Sequence, residues 1–352
     1  MTATQAPCDR ITDTGDSSHF CPLASRFPAA HAAGTMLSRR HILALPAALG
    51  LASRLPAQSP VPHQAALADR LVLLGTGGGP TPKALRAAPA AALMIGGRLH
   101  MLDAGNGAAR QAVLAGLPLK NLAHIWISHL HNDHVADAFT LPWLAWSGAL
   151  TTPVTVHGPA GLNQMRAGWE AFARTDIETR MADEGRPDLR RLLSVHEISP
   201  GVLMDSDGLK VTAARVEHPP LTNSFAFRFD WTQNGVAKSL VYSGDTAPCP
   251  ALIALAKGAD TLVQEAMYLP ALDRLIASES NAPTLRAHLL ASHTTAEQAG
   301  EIAAAAGVKT LVLTHFVPGG DPSLRDEDWA GAAARAFSGR IVVGRDLLAV
   351  DL

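Results

Sequence analysis

Short apolar runs alternate with glycine turns and helical patterns from about residue 66 to the end of the chain. The run at 71–74 predicts a buried strand, and residues 91–103 predict a hairpin closed by a glycine turn. Apolar and partly β-branched residues at 122–128 predict another buried strand. From Pro250 onward, helix and strand patterns alternate. These patterns predict one domain of mixed helices and strands over residues 66–352.

The first 58 residues differ in character from the rest. Residues 1–35 are rich in Thr, Ala, Ser, Asp and Pro without apolar periodicity, so we expect a disordered or misassigned extension there. Met36 is soon followed by Arg39-Arg40 and by an apolar run shorter than the about 20 residues that span a bilayer. Residues 36–58 therefore predict a twin-arginine signal peptide and export to the periplasm. The alternative is a basic, alanine-rich leader without an export role.

The densest group of ionisable side chains is the segment His129-Leu130-His131-Asn132-Asp133-His134, directly after the strand predicted at 122–128. Burying such a cluster is costly unless something binds it. Imidazole nitrogen and carboxylate oxygen are ligands that suit zinc and neighbouring transition metals. If the strand continues, His129 and His131 share a face, while Asp133 and His134 point to a second position. The segment therefore predicts ligands for two metal ions.

Other histidine and aspartate residues stand where predicted strands end, and side chains at such positions can converge on one edge of a sheet. They are His218, Asp245 and His315. The glycine-rich turn at 75–79 lacks the spacing of a dinucleotide fingerprint and is expected to pass close beneath the metal centre.

The amino-acid composition and the net charge argue for some classes of protein and against others. Of 352 residues, 47 % are hydrophobic and 17 % are charged, which fits a chain with a sizeable core. The formal net charge of −2 and the low Lys+Arg count argue against a dedicated nucleic-acid binder, which would normally show a basic stripe, so no nucleic-acid partner is expected. No stable membrane association is expected after signal cleavage, and a homodimer is suggested by base rates alone.

With these motifs the sequence resembles the metallo-β-lactamase-fold hydrolases, and within them the branch of ribonuclease Z and the zinc arylsulfatases and phosphodiesterases. The resemblance covers nearly all of residues 68–352 and implies an α/β (α+β) fold, a four-layer αββα sandwich with the site at one edge. It also implies two divalent metal ions, zinc by default, with manganese or iron also acceptable. The implied ligands are His129, His131 and His218 for one ion and Asp133, His134 and His315 for the other, with Asp245 and a hydroxide bridging them.

The same resemblance implies a glutamate–histidine pair that contacts the scissile phosphate and assists the leaving group. Its members are Glu265 and His293, although Gln264 stands where ribonuclease Z usually has a histidine. Asp133 can orient or deprotonate the nucleophile, and His293, oriented by Glu265, can donate a proton to the leaving oxygen. The expected catalytic residues are therefore Asp133, Glu265 and His293.

The leading hypothesis is a two-metal hydrolase that cleaves a small-molecule phosphodiester or sulfate ester by attack of a metal-bridging hydroxide. A lactonase, a ribonuclease Z-like tRNA 3′-processing endonuclease and a non-catalytic periplasmic metal-binding protein are the alternatives. Processing of tRNA is disfavoured because export would separate the protein from its substrate, and because no glycine- and lysine-rich arm lies between His134 and His218. In addition, Val317-Pro318-Gly319-Gly320 replaces the expected Ser-x-Arg-Tyr run. The Glu265–His293 pair disfavours the lactonase.

Several side chains near these motifs receive weaker expectations. Trp143 or Trp146 could line a substrate pocket, and His157 is expected to support a metal ligand. His124 should point to the opposite face of its strand from His129. His196 and His288 are expected to be surface residues.

Overall fold

The computed structural model describes residues 68–277 and 281–352. The extension predicted at 1–35 and the signal peptide predicted at 36–58 lie outside these residues, so both remain predictions, as does export to the periplasm. In the ranges that are described, no helix is both long and apolar enough to cross a membrane.

The described strands form two seven-stranded sheets, ordered β14-β1-β2-β3-β4-β5-β6 and β13-β12-β11-β10-β9-β8-β7. The first sheet contains β1 (Arg70–Gly75), β2 (Ala90–Ile95), β3 (Arg98–Leu102), β4 (Leu122–Trp126), β5 (Val154–Gly158), β6 (Leu193–Glu197) and β14 (Leu348–Val350). The second sheet contains β7 (Gly201–Ser206), β8 (Leu209–His218), β9 (Leu221–Gln233), β10 (Val236–Tyr242), β11 (Thr261–Met267), β12 (Thr310–Val317) and β13 (Arg340–Val343).

Both sheets have the same plan, with one antiparallel half and one parallel half. Strands β14, β1, β2 and β3 pair antiparallel, and β3 to β6 pair in parallel. In the second sheet, β7 to β10 pair antiparallel and β10 to β13 pair in parallel. Parallel strands need crossover connections, and the helices of this chain supply them.

The helices connect the strands and cover the outer faces of the sheets. One of them, at 296–306, starts with a capping box, in which Thr295 Oγ1 accepts from the Gln298 amide and the Gln298 side chain accepts from the Thr295 amide. It ends at Gly307, whose φ of 67° suits a glycine. The helices are α1 (Ala108–Leu114), α2 (Asn132–Val135), α3 (Thr140–Gly148), α4 (Leu162–Glu184), α5 (Leu189–Leu192), α6 (Pro250–Ala256), α7 (Leu272–Ile276), α8 (Ala282–Ser292), α9 (Ala296–Ala306) and α10 (Asp326–Ala333), with 3₁₀ turns at Leu119–Asn121 and Leu269–Ala271.

Three apolar clusters define the layers. Trp126, Phe227 and Val312 belong to the cluster between the two sheets. A second cluster joins the outer face of the first sheet to α1, α3 and α4 and includes Trp146. A third joins the outer face of the second sheet to α6, α9 and α10 and includes Trp329. The order helix, sheet, sheet, helix confirms the predicted αββα sandwich, because each sheet buries both of its faces.

Candidate metal centre and active site

The predicted site residues come from both sheets and meet at one place. The segment 129–134 follows β4 in the first sheet, while the remaining residues lie in, end or follow strands of the second sheet or follow α8. All of them are buried except His131, which is half-buried. The second-sheet and α8 contributions are His218 at the end of β8, Asp245 after β10, Glu265 in β11, His315 in β12 and His293 after α8.

The first strand of this site is shorter than the sequence predicted. β4 ends at Trp126, so His129 and His131 lie in the turn that leads into α2 and not on a strand face. Their rings meet at 84° with centroids 4.7 Å apart. The donor nitrogens of His129 and His131 converge because the turn bends towards α2, and not because side chains alternate along a strand.

Three imidazoles form the first donor set. His131 Nδ1 lies 3.0 Å from His129 Nε2 and 3.1 Å from His218 Nε2. The donor atoms of all three lie within 4.8 Å of one another. Burial lowers the pKa of each ring, that of His218 to about 4, so neutral nitrogens with free lone pairs face one another. This is the form in which imidazole binds a metal ion.

Asp133, His134 and His315 form the second donor set. The Nε2 atoms of His134 and His315 are 3.2 Å apart. Asp133 Oδ2 lies 3.6 Å from His134 Nε2 and 3.7 Å from His315 Nε2. Burial disfavours the charged form of His134, but Asp245 and the other neighbouring carboxylates outweigh it and raise its pKa well above the usual value. The second donor set therefore attracts positive charge.

Asp245 lies between the two sets. Its Oδ2 atom is 3.1 Å from His315 Nε2, 3.4 Å from His134 Nε2 and 3.9 Å from His129 Nε2. The preceding Gly244 has a φ of 58°, and a Cβ there would lie 2.6 Å from the Ser128 Cβ, so the loop requires glycine at that position.

Two buried atoms at this centre have no hydrogen-bond partner within the described part of the chain: Asp245 Oδ1 and His315 Nδ1. Leaving such groups unpaired is costly, and an ion bound by Asp245 is one physical explanation for the unpaired Oδ1 atom. Nitrogen and oxygen donors arranged in two sets around a shared carboxylate fit two divalent cations of the zinc, manganese or iron type. The residues that would hold them are the ones that the resemblance implies.

Asp103 orients this centre, a role that sequence reasoning missed. Its Oδ2 atom lies 2.6 Å from His134 Nδ1 and accepts from the Tyr242 hydroxyl at 2.8 Å. It also accepts from Ser128 through the hydroxyl at 2.8 Å, while Oδ1 accepts from the Ser128 amide at 2.7 Å. Such an outer partner fixes the tautomer and the direction of a metal-binding histidine. The available signal was an aspartate directly after the strand at 98–102.

The glycine-rich turn passes against the same centre. A Cβ on Gly78 would lie 2.6 Å from His315 Nδ1, so a larger residue would displace that ring. The Gly78 amide also donates to the Phe316 carbonyl at 3.0 Å, which ties the turn to β12. The absence of a side chain at Gly78 thus allows the backbone to lie beside the histidine.

Glu265 and His293 form a buried pair beside the two donor sets. His293 Nδ1 lies 2.7 Å from Glu265 Oε2, and Glu265 Oε1 accepts from the Thr246 amide. Burial disfavours a charged His293, but Glu265 outweighs it and raises the pKa of His293 to about 9. Because Nδ1 is bound to Glu265, Nε2 is the ring atom that can meet a substrate.

A cavity of about 910 Å³ opens onto this centre and is lined by His131, Asp133, Asp245 and His293. His288 also lines it, with its ring centroid 5.9 Å from that of His293, so the expectation that it is a plain surface residue was wrong. Its segment, α8, folds over the centre, which could not be seen from an isolated histidine.

The two tryptophans that were considered as lining for a substrate pocket lie away from this cavity. Trp143 donates to Asp176 Oδ2 at 2.8 Å, Trp146 donates to the Pro187 carbonyl at 2.9 Å, and neither lines the cavity. Their indoles face α4 and the segment after it, because α3 packs them into the helical layer.

The comparisons with known proteins agree with this geometry. Residues 99–316 match the family described as the β-lactamase superfamily domain. A ribonuclease Z from Mycobacterium sp. (strain KMS) is 36 % identical over 288 residues, covering 80 % of this chain and 95 % of the relative. The human short form of tRNase Z has a TM-score of 0.55 at 22 % identity, covering 80 % of this chain and 98 % of that one. The metallo-β-lactamase fold protein YhfI from Bacillus subtilis has a TM-score of 0.57 at 20 % identity, covering 81 % and 100 %.

These findings contradict the expectation of a small-molecule ester substrate and no nucleic-acid partner, because the curated relative is by name a ribonuclease. The physical reason for the error lies in the charge count. A formal net charge of −2 sums side chains over the whole chain and omits bound cations. Two divalent ions would add four positive charges at the metal centre itself.

Asp103→Asn should weaken divalent metal binding by about 10- to 100-fold while the fold is retained, because the neutral amide orients His134 less well. The affinity is measured by competition with a chromophoric chelator. Asp69→Asn is the matched control, since Asp69 also accepts two N–H bonds, from Gly96 at 2.8 Å and Trp231 at 3.2 Å. Equal affinities of Asp103→Asn and the unaltered chain would contradict the orienting role.

Proposed function

We propose that this chain, which belongs to the ribonuclease Z branch of the β-lactamase superfamily, hydrolyses phosphodiester bonds in RNA. It is a metal-dependent hydrolase that acts on ester bonds. The observation that carries the proposal is the position of the Glu265–His293 pair. His293 opens onto the same cavity as Asp133 and Asp245. One bound ester can therefore reach both the metal donors and a proton donor.

Two divalent cations held by the donor sets would make water acidic enough to attack near neutral pH and would stabilise negative charge on the phosphate oxygens. Asp133 lines the cavity and supplies a hydrogen-bond acceptor there. Burial favours its neutral form, but His134 and His315 hold the pKa of Asp133 well below its usual value. As an ionised acceptor, Asp133 would orient the attacking water.

The Glu265–His293 pair supplies the proton for the leaving group. Glu265 fixes the His293 ring through Nδ1 and stabilises its charged form. The proton on Nε2 can then pass to the ribose oxygen that leaves the phosphorus. An alkoxide is a poor leaving group, so this proton transfer matters more for RNA than for an aryl ester.

The proposed substrate class is RNA in general and not precursor tRNA alone. The reason is that two local features differ from the pattern expected of ribonuclease Z. Between His134 and His218 the chain forms α3 to α5 and β5 to β8, and no glycine- and lysine-rich arm is present in this described stretch. Val317-Pro318-Gly319-Gly320 follows His315 and lines the cavity. A precursor tRNA is therefore one substrate to compare with other RNAs.

Zinc- or manganese-loaded protein should cleave an RNA and bis(4-nitrophenyl) phosphate, and Asp245→Ala should abolish both activities because it removes the shared ligand. The panel consists of a precursor tRNA with a 3′ trailer, an unstructured RNA, the aryl phosphodiester, an aryl sulfate and a lactone. Asp230→Ala, which removes an ion pair with Arg228 on β9, should keep full activity. Turnover of the sulfate or the lactone without any phosphodiester, or of no substrate at all, would overturn the proposal.

His293→Gln should lower kcat on RNA by about 10²- to 10⁴-fold, because it removes the proton donor. The loss on bis(4-nitrophenyl) phosphate should be much smaller, since nitrophenolate leaves without a proton. Steady-state kinetics on both substrates measure the two losses, with metal content checked in each sample. His196→Gln, at an exposed position, serves as the control. Equal losses on the two substrates would mean that His293 has a structural role only.

A further inference from the structure

His288 faces the catalytic cavity without belonging to either metal donor set or to the Glu265–His293 pair. It lies on α8, one helical turn before Ser292, and its side chain lines the cavity together with His293. The centroid of its ring is 5.9 Å from that of His293 and 6.2 Å from that of His218. A substrate held between the metal donors and His293 therefore also lies beside His288.

The hydrogen bonds of Ser292 determine which nitrogen of His288 carries the proton. Ser292 is fully buried, and its hydroxyl oxygen lies 2.6 Å from the Pro219 carbonyl oxygen and 3.3 Å from His288 Nδ1. A carbonyl can only accept, so the single hydroxyl proton of Ser292 goes to Pro219. The hydroxyl oxygen then accepts from His288, which places a proton on Nδ1. In the neutral ring, Nε2 consequently carries a lone pair and is a hydrogen-bond acceptor.

Ser292 also connects His288 to the metal centre. Its carbonyl accepts from His218 Nδ1 at 2.9 Å, which leaves Nε2 of His218 for the first donor set. One residue thus orients both rings. Burial lowers the pKa of His288 from its usual value, so the ring is neutral at pH 8. His288 therefore presents an acceptor, Nε2, to a group bound in the cavity.

An acceptor at this position distinguishes the groups of a nucleic-acid backbone. The phosphate, ester and sugar-ring oxygens can only accept hydrogen bonds, whereas the ribose 2′-hydroxyl can also donate one. The 2′-hydroxyl lies on the carbon next to the one that carries O3′. When O3′ is the oxygen that His293 protonates, the 2′-hydroxyl of the same ribose lies on the side of the neighbouring His288 ring.

We propose that His288 Nε2 accepts a hydrogen bond from the 2′-hydroxyl of the ribose whose O3′ leaves, a role that rests on the proposed function and makes the site prefer RNA to DNA at that nucleotide. In the reaction, the oxygen of water bonds to phosphorus, the bond from phosphorus to O3′ breaks, and O3′ takes the proton from His293 Nε2. The products end in a 3′-hydroxyl and a 5′-phosphate. His288 binds the ribose and transfers no proton.

A single 2′-deoxy substitution in a cleaved RNA tests this contact. The cleavage position in the RNA is mapped first, and the deoxynucleotide is placed directly on its 5′ side. At pH 8 the substitution should lower kcat/KM of the unaltered, metal-loaded chain about 2- to 10-fold more than that of His288→Leu, which is the effect of one hydrogen bond. The comparison cancels the effect of the 2′-hydroxyl on the reactivity of O3′, because that effect is the same in both proteins. His288→Gln, whose amide oxygen can accept, should keep part of the difference.

Leu285→Ala is the matched control, since Leu285 lies one turn earlier on α8 and lines the same cavity without a polar side-chain atom. It should discriminate against the deoxynucleotide as strongly as the unaltered chain does, whatever its effect on the overall rate. Turnover of bis(4-nitrophenyl) phosphate, which has no ribose, reports in each variant whether the metal centre is intact.

Side-chain ¹⁵N resonances give a second readout that does not depend on activity. At pH 8 the signals of His288 should show a proton on Nδ1 and none on Nε2. A proton on Nε2, products that end in a 3′-phosphate, or the same loss on deoxy substitution in the unaltered chain and His288→Leu would overturn this inference while RNA hydrolysis stands. A metal-loaded chain that cleaves no RNA at all would overturn the proposed function and the role of His288 with it.

Discussion

Asp245 buries a carboxylate among three imidazoles and leaves its Oδ1 atom without a partner in the described part of the chain. Burying charge in this way is costly unless other charges or metal ions compensate it. The neighbouring residues surround this carboxylate with further metal donors, the three imidazoles of His129, His131 and His218 on one side and the Asp133 set on the other. Gly244 and Asp103 then serve a single purpose, which is to hold the donors around this carboxylate. The chemistry of the site follows from the same demand, because only cations satisfy every donor at once.

The sandwich supplies the rigid frame on which this arrangement depends. The first sheet provides Asp103 after β3 and the segment 129–134 after β4, and the second sheet provides Asp245 after β10 and His315 in β12. Both sheets are fixed against each other by the apolar cluster between them. Donors at strand ends are therefore positioned by packing far from the site, while the loops remain free to shape the cavity.

The sequence predicted the parts of the site whose geometry is local. The spacing of 129–134 and the strand-end positions of Asp245 and His315 predicted a two-metal donor set, and the structure brings those residues together. The predicted reason for this arrangement was partly wrong. β4 ends at Trp126, and the donors of His129 and His131 converge because the chain turns towards α2. The residue at which a strand ends depends on tertiary packing, which the strand propensities of single residues do not describe.

What could not be predicted depends on contacts between distant segments. Asp103 and His134 are far apart in sequence, and His288 reaches the cavity only because α8 folds over it. Strand pairing alone brings His100 beside His124 and His157 beside His196, since each of these histidines by itself is an ordinary strand residue. The partner class was predicted wrongly because a summed charge omits both the position of charges and the cations that the site binds.

Anomalous diffraction from crystals of the zinc-loaded protein tests the central claim most directly. The account predicts two strong peaks at the catalytic centre, one within the His129–His131–His218 set and one within the Asp133–His134–His315 set, with the Asp245 carboxylate contacting both. A single peak, or two peaks of which only one contacts Asp245, would contradict the account.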